Sequence, residues 1–304
     1  MHRYQDLAHV NGTRLYYEMA GSGDPLVLIH GHTLDTRMWG DQFEPFARHY
    51  RVIRYDMRGY GKSALPTADS YAPADDLMAL LRHLGLRSAH ILGQSRGGAV
   101  AIDFALTYPE ATATLIAVDA VLRRFQWKGF GKSLSEIHSA GRTSGVEAAR
   151  QRWLDDALFA ASLENLRVAP RLKQMVGDYS GWAWINDEPL RPLEPPSIQR
   201  LHRINIPTLV IVGERDVPDF LATADTLHQR IPKASKVVMA GVGHMSNMED
   251  PELFNKTVRE FLANKGSQIA TVRATDSVRI AAHVGRLLRR RRGSGTRTRV
   301  GSAG

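Results

Sequence analysis

The apolar positions of this chain follow two alternating rhythms. Leu26-Val27-Leu28-Ile29-His30 opens with an unbroken apolar run, the pattern of a strand buried on both faces of a parallel sheet. Similar runs occupy residues 51–55, 89–92, 114–118, 208–212 and 236–239. Between them the apolar residues recur with helical spacing. Over residues 75–84, Leu77, Leu80, Leu81 and Leu84 share one stripe, with Gly85 as the stop. Residues 97–108 are Ala-rich and end before Pro109, and residues 250–262 open on Asp250 as N-cap with Pro251 at the first helical position. Near the N-terminus, residues 9–18 read as two short strands around the Asn11-Gly12 turn. Strands alternating with helices predict right-handed crossovers and a mostly parallel sheet covered on both faces.

The alternation breaks once. Residues 120–203 hold no clear buried strand. They carry Trp127, Trp153, Trp182 and Trp184, a helical pattern over 146–159, and a turn-rich stretch over 189–196. A helical insertion is expected here, lying over the C-terminal edge of the sheet, where open α/β sheets bind their ligands.

Composition narrows the class. The content of 43 % hydrophobic and 23 % charged residues in 304 is that of a globular protein able to bury a core. No run reaches the roughly 18 apolar residues of a membrane span, and the first residues lack the apolar stretch of a secretory signal, so a cytoplasmic location is the default expectation. The absence of cysteine excludes disulfides, thiolate metal sites and a cysteine nucleophile. The net charge of +9 hints at nucleic acid until it is located. Residues 265–304 hold ten basic side chains and the single acid Asp276, which leaves 30 basic and 30 acidic residues in the remainder. The body is neutral, and no specific nucleic-acid partner is expected. The tail reads as a helix over 276–292 followed by a Gly/Ser/Arg stretch, with weak contact to an anionic surface as its conceivable role.

The chemistry sits at three strand ends. Gly93-Gln94-Ser95-Arg96-Gly97 follows one strand and opens a helix. A serine exposed on so tight a turn needs a strained backbone and small neighbours, which the two glycines supply. Residues 208–216, T-L-V-I-V-G-E-R-D, deliver Asp216 from a second strand, and residues 236–244, K-V-V-M-A-G-V-G-H, deliver His244 from a third. The order Ser, Asp, His and the common sheet edge make Ser95 the nucleophile, His244 its base and Asp216 the carboxylate that orients the base. Asp119, at the end of the preceding strand, and Glu214 and Asp219, close by in sequence, compete with Asp216. Asp56 and Arg58 read as structural. His30-Gly31-His32 with Asp35 misses the spacing of a metallohydrolase, so no metal is expected.

These segments, with His30-Gly31 and Trp39, Asp56-Met57-Arg58-Gly59-Tyr60-Gly61-Lys62-Ser63, and Gly243-His244 followed by Glu249 and Pro251, resemble the α/β-hydrolase family over residues 8–264. The likeness is to its capped single-domain esterase, lactonase and C–C hydrolase branches. It implies an α/β fold with an eight-stranded, mostly parallel sheet and a helical cap after the sixth strand. The core would comprise residues 1–119 and 204–264, the cap 120–203 and a flexible tail 265–304. It further implies an oxyanion hole from the backbone N–H groups of Arg96 and His32, and a small-molecule substrate without cofactor or metal. Trp127, Trp182 and Trp184 are the candidate substrate contacts. The expected activity is cleavage of a small to medium ester or lactone. C–C hydrolysis of a ring-cleavage product and a slow-turnover ligand receptor remain the alternatives. Arg96 departs from the family pattern, where a smaller or apolar residue often follows the nucleophile; its guanidinium is expected to pair with a carboxylate of the protein, the rival being an acidic group on the substrate.

Overall fold

The computed structural model describes residues 3–265. The tail expected over 265–304 lies outside the described residues, apart from Lys265. The first apolar signals become a hairpin, β1 (Arg3–Val10) and β2 (Thr13–Ala20), turning at Asn11-Gly12, where both residues adopt positive φ. The hairpin is longer than the sequence pattern implied. Each strand has eight residues, because Arg3 to Leu7 pair with Tyr16 to Ala20 although few of them are buried. The ladder hydrogen bonds extend further than the apolar alternation that announces them.

The remaining strands are β3 (Pro25–Ile29), β4 (Arg51–Tyr55), β5 (Ala89–Gln94), β6 (Thr112–Val118), β7 (Thr208–Gly213) and β8 (Ala234–Met239). They form one eight-stranded sheet in the order β1-β2-β4-β3-β5-β6-β7-β8. Pairing is antiparallel for β1–β2 and β2–β4 and parallel elsewhere. Every residue of β5 and of β7 is buried, which explains the apolar runs at their centres, Ile91-Leu92 and residues 209–212; β8 closes one edge and leaves Val238 exposed. The strand order reverses between β3 and β5, so the loops leaving these two strands part around a crevice.

Helices α1 (Gly40–Ala47), α2 (Pro73–His83) and α3 (Arg96–Thr107) make the crossovers of the first half. Six helices lie between β6 and β7: α4 (Phe130–Ser144), α5 (Val146–Leu154), α6 (Ala160–Glu164), α7 (Ala169–Asp178), α8 (Trp182–Ile185) and α9 (Ser197–Arg200). Then come α10 (Pro218–Arg230), α11 (Ser246–Glu249) and α12 (Pro251–Lys265). The helix expected over 146–159 is two pieces. Asp156 accepts a hydrogen bond from Leu158 N–H at 2.8 Å, capping a new 3-10 turn and ending the helix before it. Asp250 behaves as a cap, its Oδ1 accepting from Leu253 N–H at 3.0 Å ahead of Pro251. Among the described residues, no helix is long and apolar enough to cross a membrane.

Candidate active site

Because β3 and β5 to β8 run parallel, their C-terminal ends emerge on one edge of the sheet. Gly31 and His32 follow β3, Ser95 follows β5, Asp119 follows β6, Asp216 follows β7, and His244 follows β8. At the β5–α3 junction Ser95 has φ +52° and ψ −115°, a strained conformation for a residue with a side chain. Its N–H donates to Val118 O at 2.9 Å, and its carbonyl accepts from Val121 N–H at 3.0 Å, so the loop after β6 grips the turn from both sides. Glycine is required on either side by contact. A Cβ on Gly93 would stand 2.1 Å from Gly97 O, and one on Gly97 2.3 Å from Ile29 O. These two approaches are the physical content of the Gly-x-Ser-x-Gly spacing.

His244 is buried, and its Nδ1 lies 2.8 Å from Asp216 Oδ2. The partnership leaves Nε2 as the proton-accepting nitrogen when the ring is neutral. Burial would lower the imidazole pKa, but the carboxylates of Asp216, Asp119 and Glu249 outweigh it and hold the value above the usual 6.5. The rival acids are otherwise engaged. Asp119 accepts from Gly213 N–H at 2.8 Å and from Ser246 Oγ at 2.6 Å. Burial, and then the charge of Asp216, push its pKa well above the carboxylate range. Glu214 accepts from Gly241 N–H, and Asp219 caps the N–H groups of Gly129 and Phe130 at 2.8 Å each.

Two further contacts locate the imidazole. Gln94, just before the serine, donates its side-chain amide to His244 O at 2.9 Å. Glu249 accepts from Gly243 N–H at 2.6 Å and Met245 N–H at 3.2 Å, bracketing His244 from its own loop, and also from Ser162 Oγ of α6. Neither role is legible from composition or period, since Gln94 is only the variable position of the serine motif.

The turn after β3 lies against the serine: a Cβ on Gly31 would be 3.4 Å from Ser95 Cβ. Arg96 is the first residue of α3, and its N–H therefore has no partner within the helix. His32 has a second, side-chain character that the sequence reading missed. Its ring is walled by Tyr60, Trp153, Tyr179 and Trp184, its Nδ1 meets Tyr60 Oη at 2.7 Å, and burial lowers its pKa well below 6.5. His30 is structural. Its Nε2 accepts from Met57 N–H at 2.9 Å, which leaves Nδ1 as the donor to Gly31 O. Asp56 likewise serves the backbone, accepting from Thr36 and Lys62 N–H at 2.7 and 2.8 Å; Arg58 pairs with buried Asp76 at 2.7 Å.

A cavity of about 240 Å³ opens beside Ser95, lined among others by His32, Arg96, Trp127, Phe130, Trp153 and Glu188. Of the expected substrate contacts only Trp127 lines it. Trp182 does not, and Trp184 is fully buried, its ring edge-on to Tyr179 at 5.1 Å and to His32 at 6.3 Å. Trp153 takes the wall position instead, its Nε1 donating to Thr33 Oγ1 at 2.8 Å. Phe220 bridges the wall to His244: its ring lies 4.4 Å from that of His244 and 5.2 Å from that of Trp127. The Arg96 guanidinium is paired with Glu188 at 2.6 Å, the internal carboxylate that was expected for it.

Residues 24–251 match the family model of the α/β hydrolase fold. The chain belongs to the α/β-hydrolase family. Among α/β-hydrolases it is 28 % identical over 264 residues to 3-oxoadipate enol-lactonase 2 of Acinetobacter baylyi, covering 84 % of this chain and 95 % of that one. It is 29 % identical to a putative carbamate hydrolase, RutD, of Azorhizobium caulinodans, over 84 % of this chain and 97 % of the other. Among solved structures, a thermophilic esterase from Thermogutta terrifontis superposes with a TM-score of 0.75 at 27 % identity, over 87 % of this chain and 99 % of that one. The enol-lactonase of Burkholderia xenovorans gives 0.72 at 26 %, over 85 % and 100 %. The protein is thus a hydrolase of α/β fold.

Proposed function

We propose that this hydrolase cleaves a small to medium ester or lactone of apolar character through an acyl-enzyme on Ser95. The reading is carried by one arrangement: the His244–Asp216 hydrogen bond of 2.8 Å beside a strained serine elbow at the same sheet edge. In the first half-reaction the Ser95 hydroxyl gives its proton to His244 Nε2 while Oγ forms a bond to the acyl carbon. The carbonyl oxygen becomes an oxyanion, stabilised by the N–H groups of Arg96 and His32. Its collapse breaks the bond to the leaving oxygen, which takes the proton from His244. Water then gives a proton to His244, attacks the acyl carbon and restores Ser95 as the acid departs. Asp216 holds the imidazole in the tautomer this needs and offsets its transient charge. The aromatic wall of the 240 Å³ cavity and the likeness to an enol-lactonase and an esterase support an apolar acyl group of modest size. A fluorophosphonate probe tests the proposal: it should label the wild type and leave Ser95→Ala unlabelled, and labelling of that variant would refute it.

A further inference from the structure

Arg96 directly follows Ser95, it and Glu188 both line the cavity, and each is mostly buried, with 19 % and 13 % of the side chain exposed. Nη2 of Arg96 donates to both oxygens of Glu188, and Tyr71 Oη donates to Oε1 at 2.6 Å. Burial alone would raise the Glu188 pKa. The guanidinium and the tyrosine hydroxyl overcome it and hold the carboxyl below its usual range, so it is charged throughout the pH range of a histidine base.

Glu188 is also tied down. Leu190 N–H donates to its carbonyl at 2.7 Å, Tyr71 N–H to Pro189 O at 3.0 Å, and Arg191 N–H to Tyr71 O at 2.7 Å. Arg191 and Asp75 close the same junction with an ion pair. A carboxylate fixed in this way competes with a dissolved one as an intramolecular ligand, at an effective concentration in the millimolar range or above. The other guanidiniums of the cavity wall are also taken: among the described residues, Arg123 pairs with Asp103 at 2.8 Å and Arg142 with Asp187. An incoming carboxylate would have to displace a tethered anion or share one cation with it, and both alternatives place like charges together in a poorly solvated space. Arg96 Nε is buried without a hydrogen-bond partner among the described residues, so it presents no second accessible donor to an incoming carboxylate.

We propose that Glu188 fills the anion site of Arg96 as a built-in carboxylate, so that the cavity takes uncharged acyl groups and rejects those bearing a carboxylate. The proposal rests on the reading of Ser95 as the nucleophile and names the substrate class of that site.

Dimethyl glutarate and monomethyl glutarate share one skeleton and differ in charge. In a pH-stat the wild type should release one equivalent of acid from the diester and stall, with kcat/KM on the monoester lower by about 100-fold. Glu188→Gln keeps an acceptor for Tyr71 and Arg96 but leaves the guanidinium uncompensated. It should narrow that gap by about tenfold or more and carry the diester toward the second equivalent. Adding Arg96→Gln to Glu188→Gln should restore the wild-type gap, because the gain belongs to the guanidinium. Comparable wild-type rates on both esters, or a ratio unchanged in Glu188→Gln, would overturn the proposal. Binding gives a readout independent of turnover once the nucleophile is removed: titration with monomethyl glutarate should change tryptophan fluorescence in Ser95→Ala/Glu188→Gln and not in Ser95→Ala, and equal binding by both would count against the idea. Loss of fluorophosphonate labelling in the wild type would instead remove the assignment of Ser95 while leaving the binding test in force.

Discussion

The side-chain amide of Gln94 is hydrogen-bonded to the main-chain carbonyl of His244, 150 residues away, at 2.9 Å. The residue before the candidate nucleophile therefore fixes the backbone of the candidate base directly, without passing through substrate. The cross-link ties the turn that carries the imidazole to the end of the strand that carries the hydroxyl. Gln94→Leu removes the donor at similar volume and leaves a buried carbonyl unsatisfied. The expected result is a stability loss of about 1–3 kcal/mol. The accompanying fall in kcat should be on the order of 10- to 100-fold, from misplacement of the base. Thermal melting and ester kinetics on the same preparation check both, and unchanged kcat would show that the loop of His244 holds its place unaided.

On the proposed mechanism His244 acts as a neutral ring, and its pKa is held above 6.5 because the carboxylates of Asp216, Asp119 and Glu249 outweigh burial. Activity should therefore fall as the pH drops through a midpoint above 6.5. The stability linkage has the opposite sense. A folded-state pKa above the unfolded value favours the protonated form, so His244 contributes stability that is full below pH 6.5 and lost as the pH rises through its folded pKa. Asp216→Asn should move the acid limb of kcat/KM to lower pH and cut kcat by about 10⁴-fold. A limb that stays in place would assign the titration to another group.

Backbone strain at Ser95 can be separated from its chemistry. Ser95→Ala and Ser95→Gly both remove the proposed nucleophile, but alanine must keep φ near +52° whereas glycine does so without steric cost. Release of strain of about 1–3 kcal/mol exceeds the extra unfolded-state entropy of glycine, about 0.4–1 kcal/mol. Ser95→Gly should thus melt above Ser95→Ala. The reverse order would mean that the contacts to Val118 and Val121 carry no strain to release.

Much of this architecture could be read from the chain because its causes are local or categorical. A strand buried on both faces can hardly avoid apolar residues, and β3 and β7 announced themselves in this way. The spacing around Ser95 was legible because two backbone approaches forbid a Cβ at Gly93 and Gly97. Other features depend on partners that no local pattern names. Glu188 lies on an irregular stretch 92 positions from Arg96, and only the tertiary structure shows which carboxylate answers that arginine. Trp182 and Trp184 had the right residue type for a substrate wall, yet the turn capped at Asp156 and the packing of α8 against α4 and α5 gave that position to Trp153. The rim was predictable from strand ends; the cavity wall was not, because it is assembled from short helices.

Glu249 connects that wall to the base. Its two oxygens accept from Gly243 and Met245 N–H, one on each side of His244, and from Ser162 Oγ in α6, while its charge helps to raise the imidazole pKa. Glu249→Gln keeps the size and one acceptor but replaces the other with a donor facing a backbone N–H, and it deletes the charge. Two effects should appear together. The acid limb of the pH profile should shift downward, because one of the three carboxylates that favour imidazolium is gone. At the pH optimum, kcat should fall by about 10-fold or more, since one side of the histidine turn loses its clamp. Glu249→Asp discriminates between these causes: it preserves the charge and shortens the reach, so it should keep the limb near the wild-type position while losing rate. If both variants moved the limb equally, the charge of residue 249 would not be what the imidazole senses, and its influence on His244 would have to be assigned to the shape of the loop.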